Sequence, residues 1–264
     1  MLRPITKLFM IRSTYDAPTR RPHTMTTDTP LIIIDHVSKI YDLRPVLKQI
    51  QVTIPRGQFV ALLGPNGSGK STLLRLLCGL TPPTHGTINI GGWQIPSEIQ
   101  EVRAHIGLVS HKTLLYESLT GRENLHFFAG LYPIPAAERS DRIATLLKQV
   151  GLHKRADQLV RTYSRGMMQR LSIARALLHG PDVLLFDEPY TGLDPEAAAT
   201  LDGLLQEAHA QGHTLVMTTH ELDRAARLAQ RVLILHRGQL VADEPPSPDL
   251  AARFAAVTGT GPTS

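Results

Sequence analysis

The sequence is poor in several things. It holds one cysteine in 264 residues, so no disulfide can form within the chain, and a reducing cytosol is the expected setting. That cysteine, Cys78, lies in the apolar stretch LLRLLCGL and reads as a small core residue. Aromatic residues make up 5% of the chain, with one tryptophan. No run of lysine and arginine is interleaved with aromatics, so the footprint of a nucleic-acid surface is missing. The formal net charge is nevertheless +5, which suits either a solvated surface or contact with an anionic membrane face. No apolar run approaches the roughly 20 residues that a membrane-crossing helix needs. Internal repeats and low-complexity arrays are lacking too.

What is present falls into two parts. Residues 1–28 are rich in Thr, Pro and Arg and carry little periodic apolar content. An Arg-rich, acid-poor start is compatible with a transit peptide, but the prolines and Asp16 argue against a clean amphipathic helix. The segment reads as a disordered or non-native extension, Met25 being an alternative start. From residue 29 onward short apolar runs alternate with helical segments. LIIIDHV, QIQVTI, FVALLG, GTINIGG, IGLVS, DVLLFDE, HTLVMTTH and RVLILHRGQLVAD read as strands. TLLRLLCGL, residues 164–178, PEAAATLDGLLQEAHAQG and ELDRAARLAQ read as helices. Such alternation predicts an α/β sheet covered on both faces. A mostly helical block at about 112–175 interrupts it and is expected to be a subdomain; within it, helix is expected from Thr120 to about Val160. Residues 243–264 read as a short C-terminal tail.

Gly64-Pro65-Asn66-Gly67-Ser68-Gly69-Lys70-Ser71 matches G-x-x-x-x-G-K-[ST], between the strand FVALL and a helix opening at Thr72. The glycines let backbone N–H groups turn inward as an anion nest, and the helix aims its positive end at the same point. Lys70 is placed to reach the β- and γ-phosphates of a nucleotide, and the Ser71 hydroxyl is a hard oxygen ligand for Mg²⁺. Further on, VLLF builds a buried strand that ends in Asp187 and Glu188. Asp187 can hold Mg²⁺, and Glu188 can orient and polarise a water attacking a γ-phosphate.

Between these motifs stands Tyr163-Ser164-Arg165-Gly166-Met167-Met168-Gln169; after them come Tyr190-Thr191-Gly192-Leu193-Asp194 and His220. The ordered set, over roughly residues 30–242, resembles the ATP-binding-cassette ATPases. The resemblance implies an α/β P-loop NTPase (RecA-like) core with an antiparallel β subdomain and an inserted α-helical subdomain, the whole spanning residues 29–242. It implies ATP and Mg²⁺ as cofactors, and a second copy or a homologous ATPase paired head to tail. In that pairing Ser164 and Gly166, in the signature position, face the partner's nucleotide. It also implies Asp194 as the interface aspartate, His220 as the histidine that contacts the γ-phosphate, and Tyr41 as the aromatic that stacks on adenine. Lys70, Glu188 and His220 are the catalytic candidates.

The sequence departs from the family pattern in places. Tyr163 stands for the usual leucine of the signature, Arg165 for its first glycine and Met167 for its glutamine. Arg165 either adds positive charge near the partner's ATP or points to solvent. His111 takes the place of a loop glutamine whose amide oxygen reaches Mg²⁺. Imidazole is a borderline nitrogen base and Mg²⁺ prefers hard oxygens, so His111 is a weaker metal candidate than Ser71 or Asp187.

With no membrane span of its own, the chain resembles the separate ATPase subunit of a transporter. Integral membrane subunits on other chains are the expected partners, the cytoplasmic face of the cell membrane is the expected place, and no nucleic acid is expected. IGLVSHKTLLYESLTGRENL resembles exporter subunits. EPYTGLD, with an aromatic after the proline, resembles the haem-exporter ATPases of cytochrome c biogenesis. The alternative is a cassette ATPase that works on nucleic acid or the ribosome instead of transport.

Overall fold

Period-two alternation of apolar residues explains the centre of the molecule. In the computed structural model, residues 30–110 and 112–259 are described. The elements in chain order are β1 (Pro30–Tyr41), β2 (Arg44–Pro55), β3 (Phe59–Leu63), α1 (Lys70–Leu77), β4 (His85–Ile90), β5 (Trp93–Ile95), α2 (Ile99–Ala104), β6 (Ile106–Val109), α3 (Gly121–Ala129), α4 (Ala136–Gln149), α5 (Arg165–Leu177), β7 (Val183–Asp187), α6 (Pro195–Ala210), β8 (Thr214–Thr218), α7 (Leu222–Leu228), β9 (Arg231–His236), β10 (Gln239–Glu244) and α8 (Leu250–Thr258).

One sheet has the order β10-β9-β3-β8-β7-β6. Its five strands from β9 to β6 are parallel, and β10 adds an antiparallel edge. β3 and β8 are buried along their whole length, as strands covered on both faces must be. Alternate residues feed two separate cores. Phe59, Ala61, Leu63, Leu184, Phe186 and Met217 face the cluster beneath α3 to α8. Val60, Leu62, Val183, Leu185, Val216 and Leu233 face the other, which holds α1, α2 and the second sheet. Phe59 and Phe186 are wholly buried, and each such side chain contributes about 1.5–3 kcal/mol through loss of water contact.

The second sheet, β2-β1-β4-β5, is antiparallel throughout. The described architecture is thus the mixed α/β P-loop NTPase arrangement with an antiparallel β unit and helices that the motifs implied.

The helical block differs from its sequence reading. Thr120 caps α3 through a capping box: its hydroxyl accepts from the Glu123 N–H at 3.1 Å, while its own N–H donates to the Glu123 carboxylate at 2.8 Å. Pro133 and Pro135 then separate α3 from α4. Helix was expected to run to about Val160, but α4 stops at Gln149 and Gly151 turns left-handed at φ 68°. Residues 153–155 and 160–162 form only single 3-10 turns. The apolar residues behind that expectation, Leu152, Ala156 and Val160, are buried all the same; they pack from loops instead of from one helix face. Beyond β10, residues read as a tail form α8, whose Leu250 enters the larger core.

Candidate functional site

Strand β3 delivers the chain to the C-terminal edge of the parallel sheet, where the glycine-rich loop turns into α1. Gly64, Gly67 and Gly69 all have positive φ. Gly64 also lies against the Leu235 carbonyl with no room for a Cβ, so this position demands glycine on two counts. Gly69, at the N-cap of α1, offers no side chain to the first-turn N–H groups. Those groups are left for the loop or for an anion. Ser68 is buried, and its hydroxyl has no partner, an orphan that a phosphate oxygen would satisfy. Pro65 is half-buried, while Asn66 and Gly67 are exposed on the rim and Thr72 follows in the first turn.

Lys70 bends back over this loop. Its ammonium donates to the Gly64 carbonyl at 2.7 Å and to the Pro65 carbonyl at 3.3 Å. It also stands 3.9 Å from Glu188 Oε1. Burial pulls its pKa below the usual lysine value, against the opposing pull of Glu188 and Asp187. The loop therefore holds a buried cation whose hydrogen bonds are to neutral carbonyls, ready for a stronger anionic partner.

Strand β7 brings the two acids to the same edge. Asp187 Oδ1 accepts from the Ser71 hydroxyl at 3.1 Å and from the Thr218 hydroxyl at 2.9 Å. Ser71 and Asp187 thus form a pair of hard oxygen donors of the kind Mg²⁺ takes, with the remaining positions open to water or phosphate. Among the described residues no group of three His, Cys, Asp or Glu is built to hold a metal alone. Glu188 has φ 50°, a left-handed conformation rare for a side chain of its size. Its N–H is held there by the Thr218 hydroxyl at 2.9 Å and the Thr218 carbonyl at 3.2 Å. Its carboxylate meets His220 Nδ1 at 2.9 Å, and His220 is itself two-thirds exposed. Lys70, Ser71, Asp187, Glu188 and His220 therefore converge at one place, drawn from α1, β7 and the end of β8.

The remaining candidates lie on neighbouring segments. Ser164 is exposed and caps α5, accepting from the Met167 N–H at 3.2 Å. Gly166 lets α5 approach α6, since a Cβ there would come within 2.7 Å of the Ala197 Cβ. Asp194 caps α6, accepting from the Ala197 N–H at 2.8 Å. The two helix starts are packed together, so the signature segment and the Asp194 loop share one surface. Arg165 is exposed at the start of α5 and lies along the loop that follows β7. Its guanidinium covers Gly192, where a Cβ would lie 2.7 Å from Cζ. Tyr41 ends β1, partly exposed, with Lys39 over its ring at 4.8 Å. Tyr41 pairs with Arg44 at the start of β2, and Val46 and Leu47 of that strand pack on Gly69 of the phosphate loop. His111 lies outside the described residues. From the loop just beyond it, Lys112, Thr113, Leu114 and Glu117 join Arg165 and Glu188 in lining a cavity of about 460 Å³.

Sequence reasoning missed two things here. Thr218 binds both acids, yet LVMTTH had drawn notice only for its histidine; a hydroxyl closing an otherwise apolar strand was the available signal. Tyr190 had been read as a subfamily marker. In the structure it is buried, and its hydroxyl donates to Asp202 at 2.7 Å.

A family model described as "ABC transporter" matches residues 47–191. The Nod factor export ATP-binding protein I of Ralstonia nicotianae is 38% identical over 218 residues, covering 83% of this chain and 68% of that protein. Among solved structures, cbiO1 from Clostridium perfringens, described as part of the ABC transporter complex cbiONQ, is similar with a TM-score of 0.78. It is 28% identical over 86% of this chain and 92% of its own. A dimeric post-hydrolysis state of the ATP-binding cassette MJ0796, bound to ADP and Pi, has a TM-score of 0.74. It is 30% identical over 82% of this chain and 99% of its own.

Proposed function

The chain belongs to the ABC transporter family, and from that premise we propose that it is the ATP-hydrolysing subunit of a small-molecule exporter, working through membrane subunits carried on other chains. The observation that carries this reading is the convergence of Lys70, Ser71, Asp187, Glu188 and His220 at the edge of the parallel sheet. The P-loop N–H groups and Lys70 hold the β- and γ-phosphates. Ser71 and Asp187 would hold Mg²⁺, which would supply charge neutralisation on the phosphate oxygens. Glu188 takes up the proton of the attacking water or orients it, and His220, bonded to Glu188, lies beside the γ-phosphate. Tyr41 stacks on the adenine. No helix among the described residues is long and apolar enough to cross a membrane, which is in keeping with a peripheral ATPase on the cytoplasmic face and with separate membrane partners.

Two copies, or one copy and a homologue, close head to tail over two ATP molecules, with Ser164, Gly166 and Asp194 at the interface. The dimeric state described for MJ0796 supports this, and the complex named for cbiO1 supports assembly with other subunits. Export as the direction draws support from the Nod factor relative. The narrower haem-exporter reading rests on Tyr190 alone. That ring has a packing role here, and the relatives reported above are not named for haem. The reading on nucleic acid or the ribosome has no observation in its favour.

The test is light scattering in ATP and Mg²⁺. Glu188→Gln should accumulate as a nucleotide-bound dimer, while Lys70→Ala stays monomeric under the same conditions. A Glu188→Gln chain that remains monomeric at saturating ATP would contradict the sandwich-dimer reading.

A further inference from the structure

His220 is two-thirds exposed and Glu188 holds a left-handed backbone, so the contact between them depends on the segments that carry them. A strained backbone persists only where the surroundings over-determine it, and those surroundings can be traced. Two residues past Glu188, Tyr190 is buried, and its hydroxyl donates to Asp202 Oδ1 at 2.7 Å. One residue past His220, the Glu221 carboxylate accepts from Arg224 Nε at 2.7 Å. Arg224 then closes the circuit: its Nη1 lies 2.7 Å from each oxygen of Asp202, and its guanidinium sits 4.2 Å above the Tyr190 ring. Arg227 adds a contact to Asp202 at 2.6 Å. Asp202 is on α6, the helix that Asp194 caps. Both Asp202 and Arg224 are largely buried, at 15% and 19% side-chain exposure, so this is not a solvated surface pair.

We infer that Tyr190, Asp202 and Arg224 are positioning residues, a clamp that holds the Glu188 turn and the His220 turn in register so that the 2.9 Å His220–Glu188 contact can form. This rests on the reading of Glu188 and His220 given above. The geometry gives the clamp two arms that meet at one carboxylate. The Tyr190 arm fixes the turn that leaves Glu188, where the Thr191 N–H returns to the Glu188 carbonyl at 3.3 Å and the Leu193 N–H to the Tyr190 carbonyl at 3.0 Å. The Arg224 arm fixes Glu221, whose N–H is bonded to the Thr219 hydroxyl at 3.0 Å. Burial and the neighbouring Asp202 both raise the Tyr190 phenol's pKa, so it stays protonated and able to donate. Neither arm touches the P-loop, so nucleotide binding should not depend on it.

The experiment is ATP hydrolysis by the full chain carrying Asp202→Asn or Tyr190→Phe, each alone and combined with His220→Ala. A loss of about tenfold in kcat is expected for Asp202→Asn, within what a small misplacement costs, and a smaller loss for Tyr190→Phe. The KM for ATP should stay near wild type; the thermal midpoint should fall for Asp202→Asn, which breaks a buried pair, and stay near wild type for Tyr190→Phe, so kcat is read well below both midpoints. In the His220→Ala background Asp202→Asn should add less than about twofold, because the clamp acts through that histidine. An unchanged kcat in both single variants overturns the proposal. So does a loss that persists undiminished without His220, or one that only tracks a lower thermal midpoint. If Asp202→Asn does not fold, Tyr190→Phe, which keeps the ring under Arg224, decides alone. Glu188→Gln run alongside separates the two levels: full activity there sinks the catalytic reading, whereas its loss with an unaffected Asp202→Asn sinks the clamp only.

Discussion

Strand β7 carries an acid at each end, and the fold treats the two oppositely. Asp182, just before the strand, is closed in. Arg56 donates to one of its oxygens, and His105 Nδ1 lies 2.7 Å from the other. Its carbonyl accepts from the Thr214 N–H at 2.9 Å. Burial alone would raise its pKa, but the hydrogen bonds from His105 and Arg56 prevail and hold it at about 2. Asp187, at the far end, takes hydrogen bonds from two neutral hydroxyls. Beside it Glu188 is strained and stands 3.9 Å from its lysine. One short strand separates a carboxylate spent on holding strands together from two that keep capacity for something else. An ion pair completed inside the protein serves the fold; an acid left with weak partners at a sheet edge can receive a ligand.

Substitutions at the two ends should therefore fail in different assays. The largest effect is expected from Lys70→Ala at the open end. Phosphate release should fall on the order of a hundredfold or more, since the positive charge aimed at the transferring group is gone. Thermal unfolding should hardly move, because the lysine's hydrogen bonds go to its own loop and its ion pair with Glu188 is long at 3.9 Å. Asp182→Asn at the closed end should do the reverse, lowering stability by about 2 kcal/mol in urea at neutral pH while leaving turnover intact. Its pH dependence has a definite sign. The folded pKa of about 2 lies below the ordinary aspartate value near 4, so the stabilisation is fully present above about pH 4. It is lost as pH falls towards 2, and the wild-type and variant unfolding curves should converge across that window. Curves that stay parallel there would show that Asp182 is not the closed acid described.

Between these extremes lies the start of α5. Gly166→Ala places a Cβ against Ala197 and should cost about 1–2 kcal/mol through overpacking, more than the helix gains from alanine. Urea unfolding measures it, and an unchanged midpoint would mean that α5 and α6 part easily. The smallest effect is expected from Tyr163→Phe. Its hydroxyl donates to the Arg155 carbonyl at 2.7 Å, and losing that bond should cost about 1 kcal/mol. This is also why the departure from leucine at this position is tolerated: the larger ring is buried in the helical core and its polar tip is satisfied.

How much of this was legible in the sequence follows from distance along the chain. The P-loop and the VLLFDE strand are local, with strand, turn and helix in one short stretch, so sequence pattern alone located Lys70, Ser71, Asp187 and Glu188. The β3, β7 and β8 runs were legible because burial on both faces keeps their middles apolar. Thr218 was not: it matters only because β8 lies beside β7, some thirty residues away. The meeting of Tyr190, Asp202 and Arg224 depends on the packing of α6 and α7, which no short pattern encodes. Arg165 was left between two readings, and its contact with Gly192 comes from another loop that no pattern around it announces. The end of α4 escaped for a different reason: Leu152, Ala156 and Val160 keep a helix-like apolar spacing while Gly151 breaks the helix.

The central claim is that Glu188 is the group acting on the attacking water, and a single-turnover measurement tests it most directly. The Glu188→Gln chain, with ATP and Mg²⁺ in saturating amounts, should bind nucleotide with wild-type affinity yet convert it to ADP at least about a hundredfold more slowly, the loss expected for a removed general base. Conversion at the wild-type rate with normal binding would contradict the account.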